Sequence, residues 1–158
     1  MTHVPSLGSR GQGWVVVQGV IVLSIALAGA AGPAWSGAAR IATAAVGLAA
    51  LLTGGALAVR GVVDLRHALT MLPRPRPDAR LVESGAYRLA RHPMYGGQIL
   101  GAAGWGLVTA SPAALALAAV LLVFFDLKSR REEAWLLDHF TGYAAYRRRT
   151  RRLIPFIY

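Results

Sequence analysis

Four stretches of this chain carry no Asp, Glu, Lys or Arg: residues 13–31, 41–59, 94–110 and 112–125. A helix that crosses a bilayer needs about 20 such residues, with a range of roughly 17–25. The first three stretches reach that length and the fourth falls short, but 128–139 has good helix formers and no Gly or Pro, so that helix is expected to leave the bilayer and continue in the cytoplasm. Lipid offers no partner for an open backbone N–H or C=O, so segments of this kind must close their hydrogen bonds internally as helices. The expected fold is therefore an all-α integral membrane protein with about four transmembrane helices. Only Ser111 and Pro112 separate the last two stretches, which leaves room for nothing but a tight antiparallel hairpin. With 158 residues, the chain reads as one membrane domain. Residues 1–80 hold the N-terminal spans and a connecting loop, and residues 81–158 hold nearly all the chemistry-bearing side chains. The first stretch exceeds the ~7–15 residues of a secretory h-region and reads as a retained span.

The formal net charge of +10 raises the question of nucleic acid, but its distribution answers otherwise. Fifteen of the 17 basic residues lie in 60–91 and 128–152, beside the ends of the apolar stretches, whereas the loop after the first span has none before Arg40. Basic excess in short loops marks the cytoplasmic side. Four spans then put both termini and the 60–91 loop in the cytoplasm of a cell whose inner membrane holds the protein, with no role for nucleic acid. The run 143–152 is basic and amphipathic and suits the headgroup layer. The absence of cysteine excludes disulfides and thiolate chemistry. His3, His67, His92 and His139 lack ligand spacing, so no metal site is expected.

Local signals place the candidate site at the span ends. Pro73, Pro75 and Pro77 enforce an extended connection, Gly85 is free to turn left-handed, and Pro93 suits the first turn of a helix. Tyr95 follows His92 by three residues and shares its helix face. Imidazole, phenol and the open N–H groups of a helix start suit an anionic group, reinforced by Arg88 and Arg91. Glu132 and Glu133 point about 100° apart on a helix, so one is free for an ammonium or a ribose while the other pairs with Arg130 or Arg131. Lys128 lies one turn before Glu132 and with it can flank a zwitterion or a reacting carboxylate. Gly97, Gly101, Gly104 and Gly106 form a small-residue face, suited to close helix packing or to a flat ligand.

These residues carry a resemblance. The pattern Leu81-Val82-x-Ser84-Gly85-x-Tyr87-x-x-x-Arg91-His92-Pro93-x-Tyr95-x-Gly97, followed by Glu132-Glu133-x-x-Leu136-x-x-x-Phe140 and Tyr143-x-x-Tyr146, resembles the isoprenylcysteine carboxyl methyltransferases and the wider group that includes phospholipid methyltransferases. The resemblance covers about residues 81–155. It implies S-adenosylmethionine as cofactor, held where the cytoplasmic loop and C-terminal helix meet, by Tyr87, Arg88, Leu89, Ala90, His92 and Tyr95. Leu100, Gly101 and Ala103 would line it, and Glu132 would take the methionine ammonium. Lys128, Glu133 and Arg91 are the candidate catalytic groups. Lys128 stands where the prenylcysteine enzymes have a substrate-contacting arginine, and it offers a point charge instead of a planar fork. The implied substrate is lipidic or otherwise hydrophobic, with a carboxylate or an amine as acceptor. The residues agree independently, since methyl transfer demands mainly positioning, worth about 7–11 kcal/mol. Two other readings stand beside it. The ending 154–158 resembles the tail of NADPH-dependent membrane sterol reductases, and a small-residue helix bundle can also bind lipid without catalysis.

Overall fold

The computed structural model describes residue 5 and residues 7–31, 33–66, 79–155 and 157–158. Five α-helices form: α1 Gln12–Gly29, α2 Gly37–Leu65, α3 Pro93–Val108, α4 Pro112–His139 and α5 Tyr143–Arg149, with a 3-10 turn at Gly85–Arg88 before α3. The only β-type contact among the described residues is a single bridge between Ala90 and Arg151. This is the expected all-α membrane architecture. The proposed extended loop at Pro73, Pro75 and Pro77, and the continuation of α2 through His67, lie outside the described residues.

The third expected span is the short one in the structure, and the fourth helix continues through 128–139 as its helix formers lead one to expect. α1, α2 and α4 are long and apolar enough to cross a membrane. α3 has only 16 residues, about 24 Å at 1.5 Å per residue, short of the ~30 Å hydrocarbon core. Its N-terminus is pinned at His92-Pro93. α4 instead runs unbroken for 28 residues, about 42 Å, because 126–139 is rich in helix formers and holds no Gly or Pro. Glu132 lies about 30 Å along it from Pro112, a distance equal to the thickness of a hydrocarbon core. Ser111 caps the start of α4, its hydroxyl accepting from the Ala114 N–H at 3.2 Å.

The helices alternate in direction, so the N-termini of α1 and α3 share one end with the C-termini of α2 and α4. The tightest seam is α2 against α3, and glycines make it. Gly47 and Gly54 of α2 meet Gly104 and Gly97 of α3 backbone to backbone. The small-residue face of α3 is thus largely spent on helix packing. A Cβ on Gly54 would sit 2.5 Å from the Gly97 carbonyl oxygen and 2.7 Å from the Gly101 nitrogen, whereas one on neighbouring Gly55 would meet nothing within 4 Å. Gly54→Ala is therefore expected to cost roughly 1–3 kcal/mol, the usual range for overpacking. Gly55→Ala should leave the thermal melting curve of the purified protein unmoved or slightly raised. The opposite side of α3 packs with α1 and α4 around Trp14, Ile25, Ile99, Leu121, Phe124 and Phe125.

Candidate functional site

The chain end 151–153 ties down the turn that starts α3. The Arg91 N–H donates to the Arg151 carbonyl at 2.8 Å and the His92 N–H to the Arg152 carbonyl at 2.9 Å. A Cβ on Gly96 would sit 2.1 Å from the Leu153 carbonyl oxygen, so glycine is required for this strap to lie across the helix. On the other side, Asp64 at the end of α2 accepts from the Ala86 N–H at 2.7 Å. Gly85 takes φ 59, as its sequence suggested, and presses so closely on the Asp64 carboxylate that no side chain fits there. Tyr146 of α5 donates its hydroxyl to the Tyr87 carbonyl at 2.6 Å. Three elements distant in sequence thus hold 85–92 in place.

Within this frame His92, Tyr95, Phe125 and Lys128 form a stack. The His92 and Tyr95 rings are parallel with centroids 5.4 Å apart, Tyr95 stacks on Phe125 at 4.3 Å, and the Lys128 Nζ sits 4.8 Å from the Tyr95 ring centre. The Tyr95 hydroxyl donates to Glu132 Oε1 at 2.6 Å, and His92 Nδ1 lies 3.4 Å from Glu132 Oε2. Burial pushes the His92 imidazolium toward deprotonation, but contact with Glu132 and Glu133 outweighs it and raises the pKa above the ordinary value. Burial also raises the phenol pKa values of Tyr87, Tyr143 and Tyr146, so these hydroxyls remain protonated.

The two glutamates part company. Glu133 is bonded by the Arg91 Nε at 2.7 Å and lies 3.3 Å from the Arg147 Nε and 3.5 Å from the Arg152 Nε. The expected partners Arg130 and Arg131 do not take it. Arg130 binds Asp126 one turn back, and Arg131 stacks on Trp135, because both point away from the packed face of α4. Glu132 is equally buried, yet no lysine or arginine among the described residues is ion-paired with it. It keeps a carboxylate with one phenol and one imidazole as neighbours.

The other sequence-predicted residues divide between the site and its frame. Tyr87 and Ala90 are buried beside the site, while Arg88 and Leu89 are exposed at its rim. Arg91 is buried and occupied: besides Glu133 its guanidinium donates to the carbonyls of Arg147 (3.1 Å) and Thr150. Leu100 and Gly101 abut Gly54 in the α2 seam, and Ala103 packs against the core beside Tyr95. Lys128 is buried and donates to Gln18 Oε1 of α1 at 2.6 Å, while Gln18 Nε2 donates to Gln98 Oε1 at 3.0 Å. Sequence reasoning passed over Gln18, Gln98, Arg147, Arg152 and Asp64. The two glutamines had a signal, since a side-chain amide inside an uncharged span is costly without a partner.

The sequence model of the phospholipid methyltransferase family matches residues 42–142, close to two thirds of the chain. The chain belongs to that family. The match runs from early α2 to the residue before α5 and includes the α3 turn, Lys128 and both glutamates. Similar curated proteins include the cobalt-zinc-cadmium resistance protein CzcN of Cupriavidus metallidurans, 38% identical over 66% of this chain and 49% of that protein. The nickel-cobalt-cadmium resistance protein NccN of Alcaligenes xylosoxydans is 34% identical over 68% of this chain and 51% of the relative. A protein-S-isoprenylcysteine O-methyltransferase B of Arabidopsis thaliana is 29% identical over 70% of this chain and 58% of the relative. The chain spans about half the length of the curated relatives it matches.

Proposed function

We propose that this family member transfers a methyl group from S-adenosylmethionine to a lipidic or otherwise hydrophobic acceptor at the cytoplasmic face of the membrane. The observation that carries the reading is Glu132: a buried carboxylate contacted by the Tyr95 hydroxyl and the His92 imidazole, with no lysine or arginine among the described residues ion-paired to it, beside a donor-rich turn. A buried carboxylate of this kind calls for a cation, and the α-ammonium of a methionine moiety supplies one.

Family membership and the relative named as an isoprenylcysteine O-methyltransferase support the same assignment. The resistance names of the other two relatives state a phenotype and no reaction. When bound, S-adenosylmethionine supplies an electrophilic methyl on a sulfonium, which an acceptor oxygen or nitrogen displaces in line. Glu132, with Tyr95 and His92 holding its two oxygens, would take the ammonium. Tyr87, Arg88, Leu89 and Ala90 form the turn beside it. Lys128 stands one turn nearer the membrane, where an acceptor arriving from the lipid side would present its head.

A carboxylate acceptor reacts as it stands. An amine acceptor must first give up one proton, and His92, which Glu132 and Glu133 hold toward its protonated form, is poorly suited to receive it. Glu133, named from sequence as a catalytic candidate, is spent on Arg91, Arg147 and Arg152, and its role in this reading is to hold the site together. The exposed arginines Arg88, Arg147, Arg148, Arg149 and Arg151 gather at the site end of the bundle, which favours a cytoplasmic orientation of that end and of both termini.

Isothermal titration of the purified protein with S-adenosylhomocysteine tests the reading. Saturable binding in the micromolar range is expected. A folded protein that ignores it would overturn the proposal, and binding of NADPH in its place would assign the chain to the reductase reading.

A further inference from the structure

His92 is held between the two glutamates. Its Nδ1 lies 3.4 Å from Glu132 Oε2 and its Nε2 lies 3.5 Å from Glu133 Oε1. The residue is 8% exposed, its ring lies parallel to that of Tyr95, and its backbone N–H is tied to the Arg152 carbonyl. A neutral imidazole carries one N–H and one lone pair. Set between two carboxylates, it would have to aim that lone pair at one of them. Only the imidazolium, with an N–H on each nitrogen, presents a positive edge to both. Burial disfavours the charged ring, but the two carboxylates outweigh it and hold the proton on.

The charges around the ring are unequal. Glu133 meets Arg91, Arg147 and Arg152, so no spare negative charge there is left to hold a further proton. Tyr143 beside Glu133, and Tyr87 and Tyr95 beside Glu132, are phenols and carry no charge near neutral pH. Asp64 of α2 is engaged with Arg60 and the Ala86 N–H, and Lys128 of α4 donates to Gln18. Among the described residues, the proton on His92 is thus the one positive charge at ion-pair distance from Glu132. An ammonium arriving at Glu132 would meet a carboxylate already neutralised. Two cations would then face one negative charge in a buried site, where like charges repel most strongly. Of the two, the proton is the one free to leave.

We propose that the proton on His92 is the resident counter-ion of Glu132 and is exchanged for the ammonium of the bound cofactor, so that binding releases a proton and tightens as pH rises. The proposal deepens the function proposed above and rests on it, because it takes the ligand's ammonium to sit at Glu132. The sign follows from the competition. Below the pKa of His92 in the free protein, which lies above the ordinary 6.5, the protonated ring opposes the ammonium. Above it, Glu132 is open. In the complex the neighbouring ammonium lowers the proton affinity of the ring, so His92 is a poor base with or without the cofactor.

The test is isothermal titration of the purified protein with S-adenosylhomocysteine in buffers of different ionisation enthalpy, at about pH 6 and about pH 7.5, on either side of the ordinary imidazole value. Affinity about 10-fold higher at the upper pH is expected, with about one proton released per ligand bound between the two. The nucleoside 5′-methylthioadenosine, which lacks the ammonium and carboxylate, should bind equally at both pH values and release no proton. His92→Gln should bind S-adenosylhomocysteine with an affinity that no longer depends on pH. Wild-type affinity that is flat, or that rises toward the lower pH, overturns the proposal while the binding itself leaves the methyl-transfer reading standing. So does a pH dependence that 5′-methylthioadenosine shares or that His92→Gln retains. No binding at either pH overturns both readings. The wild-type titrations decide even if His92→Gln fails to fold.

Discussion

Glu133→Ala is expected to unfold the site end of the bundle. The glutamate is buried and gathers Arg91, Arg147 and Arg152 from three separate segments, with Arg91 as close as 2.7 Å. Removing it leaves the buried Arg91 guanidinium with carbonyl partners only, and breaking a buried pair from one side typically costs roughly 3–5 kcal/mol. Arg91 is also the residue whose backbone binds the strap at Arg151, so the loss propagates to the turn that presents His92 and Tyr95. A drop in melting temperature on the order of 10 °C is expected for a chain of this size, together with protease cleavage in 141–155. Glu133→Gln, which keeps the shape and some hydrogen bonds, should fall between the two. A melting curve for Glu133→Ala that overlays the wild type would show that the cluster does not hold the strap.

Glu132→Gln is expected to act in the opposite way, leaving the fold and removing the cofactor. The amide keeps the hydrogen bond from the Tyr95 hydroxyl, and no lysine or arginine loses a partner. What disappears is the charge that an ammonium would meet. Hydrogen bonds to charged groups contribute about 1.5–3 kcal/mol, so S-adenosylhomocysteine affinity should fall roughly 10- to 150-fold. The melting temperature in the absence of ligand should stay within a few degrees of wild type. Unchanged affinity in Glu132→Gln would remove Glu132 from the cofactor site. The pair of variants is informative because the two glutamates are adjacent in sequence and both buried.

That contrast also marks how far the sequence could be read. The helices, the α3–α4 hairpin, the left-handed Gly85 and the shared face of His92 and Tyr95 were all legible, because each depends on residues within a few positions of one another. So was the gathering of charged and aromatic groups at the span ends, since such groups kept at a membrane boundary are conspicuous in an apolar chain. Periodicity could not say which glutamate is spent. The answer depends on Arg91, 42 positions away, and on a strap from the chain end, which meet Glu133 only once α3 and α4 are packed.

The start of α3 at Pro93 and the continuation of the fourth helix through 128–139 were legible too, whereas the tie from His92 to Arg152 that anchors that start was not. Among the span-borne amides, Gln18 and Gln98 lie 80 positions apart, and only the packing of α1 against α3 and α4 joins them to Lys128. By itself, the sequence determined a helical membrane protein with a donor-rich turn and two carboxylates at a span exit. Only the tertiary structure decided which of those carboxylates is paired with arginines and which is not, because charge compensation in a buried site is settled by neighbours that chain order does not reveal.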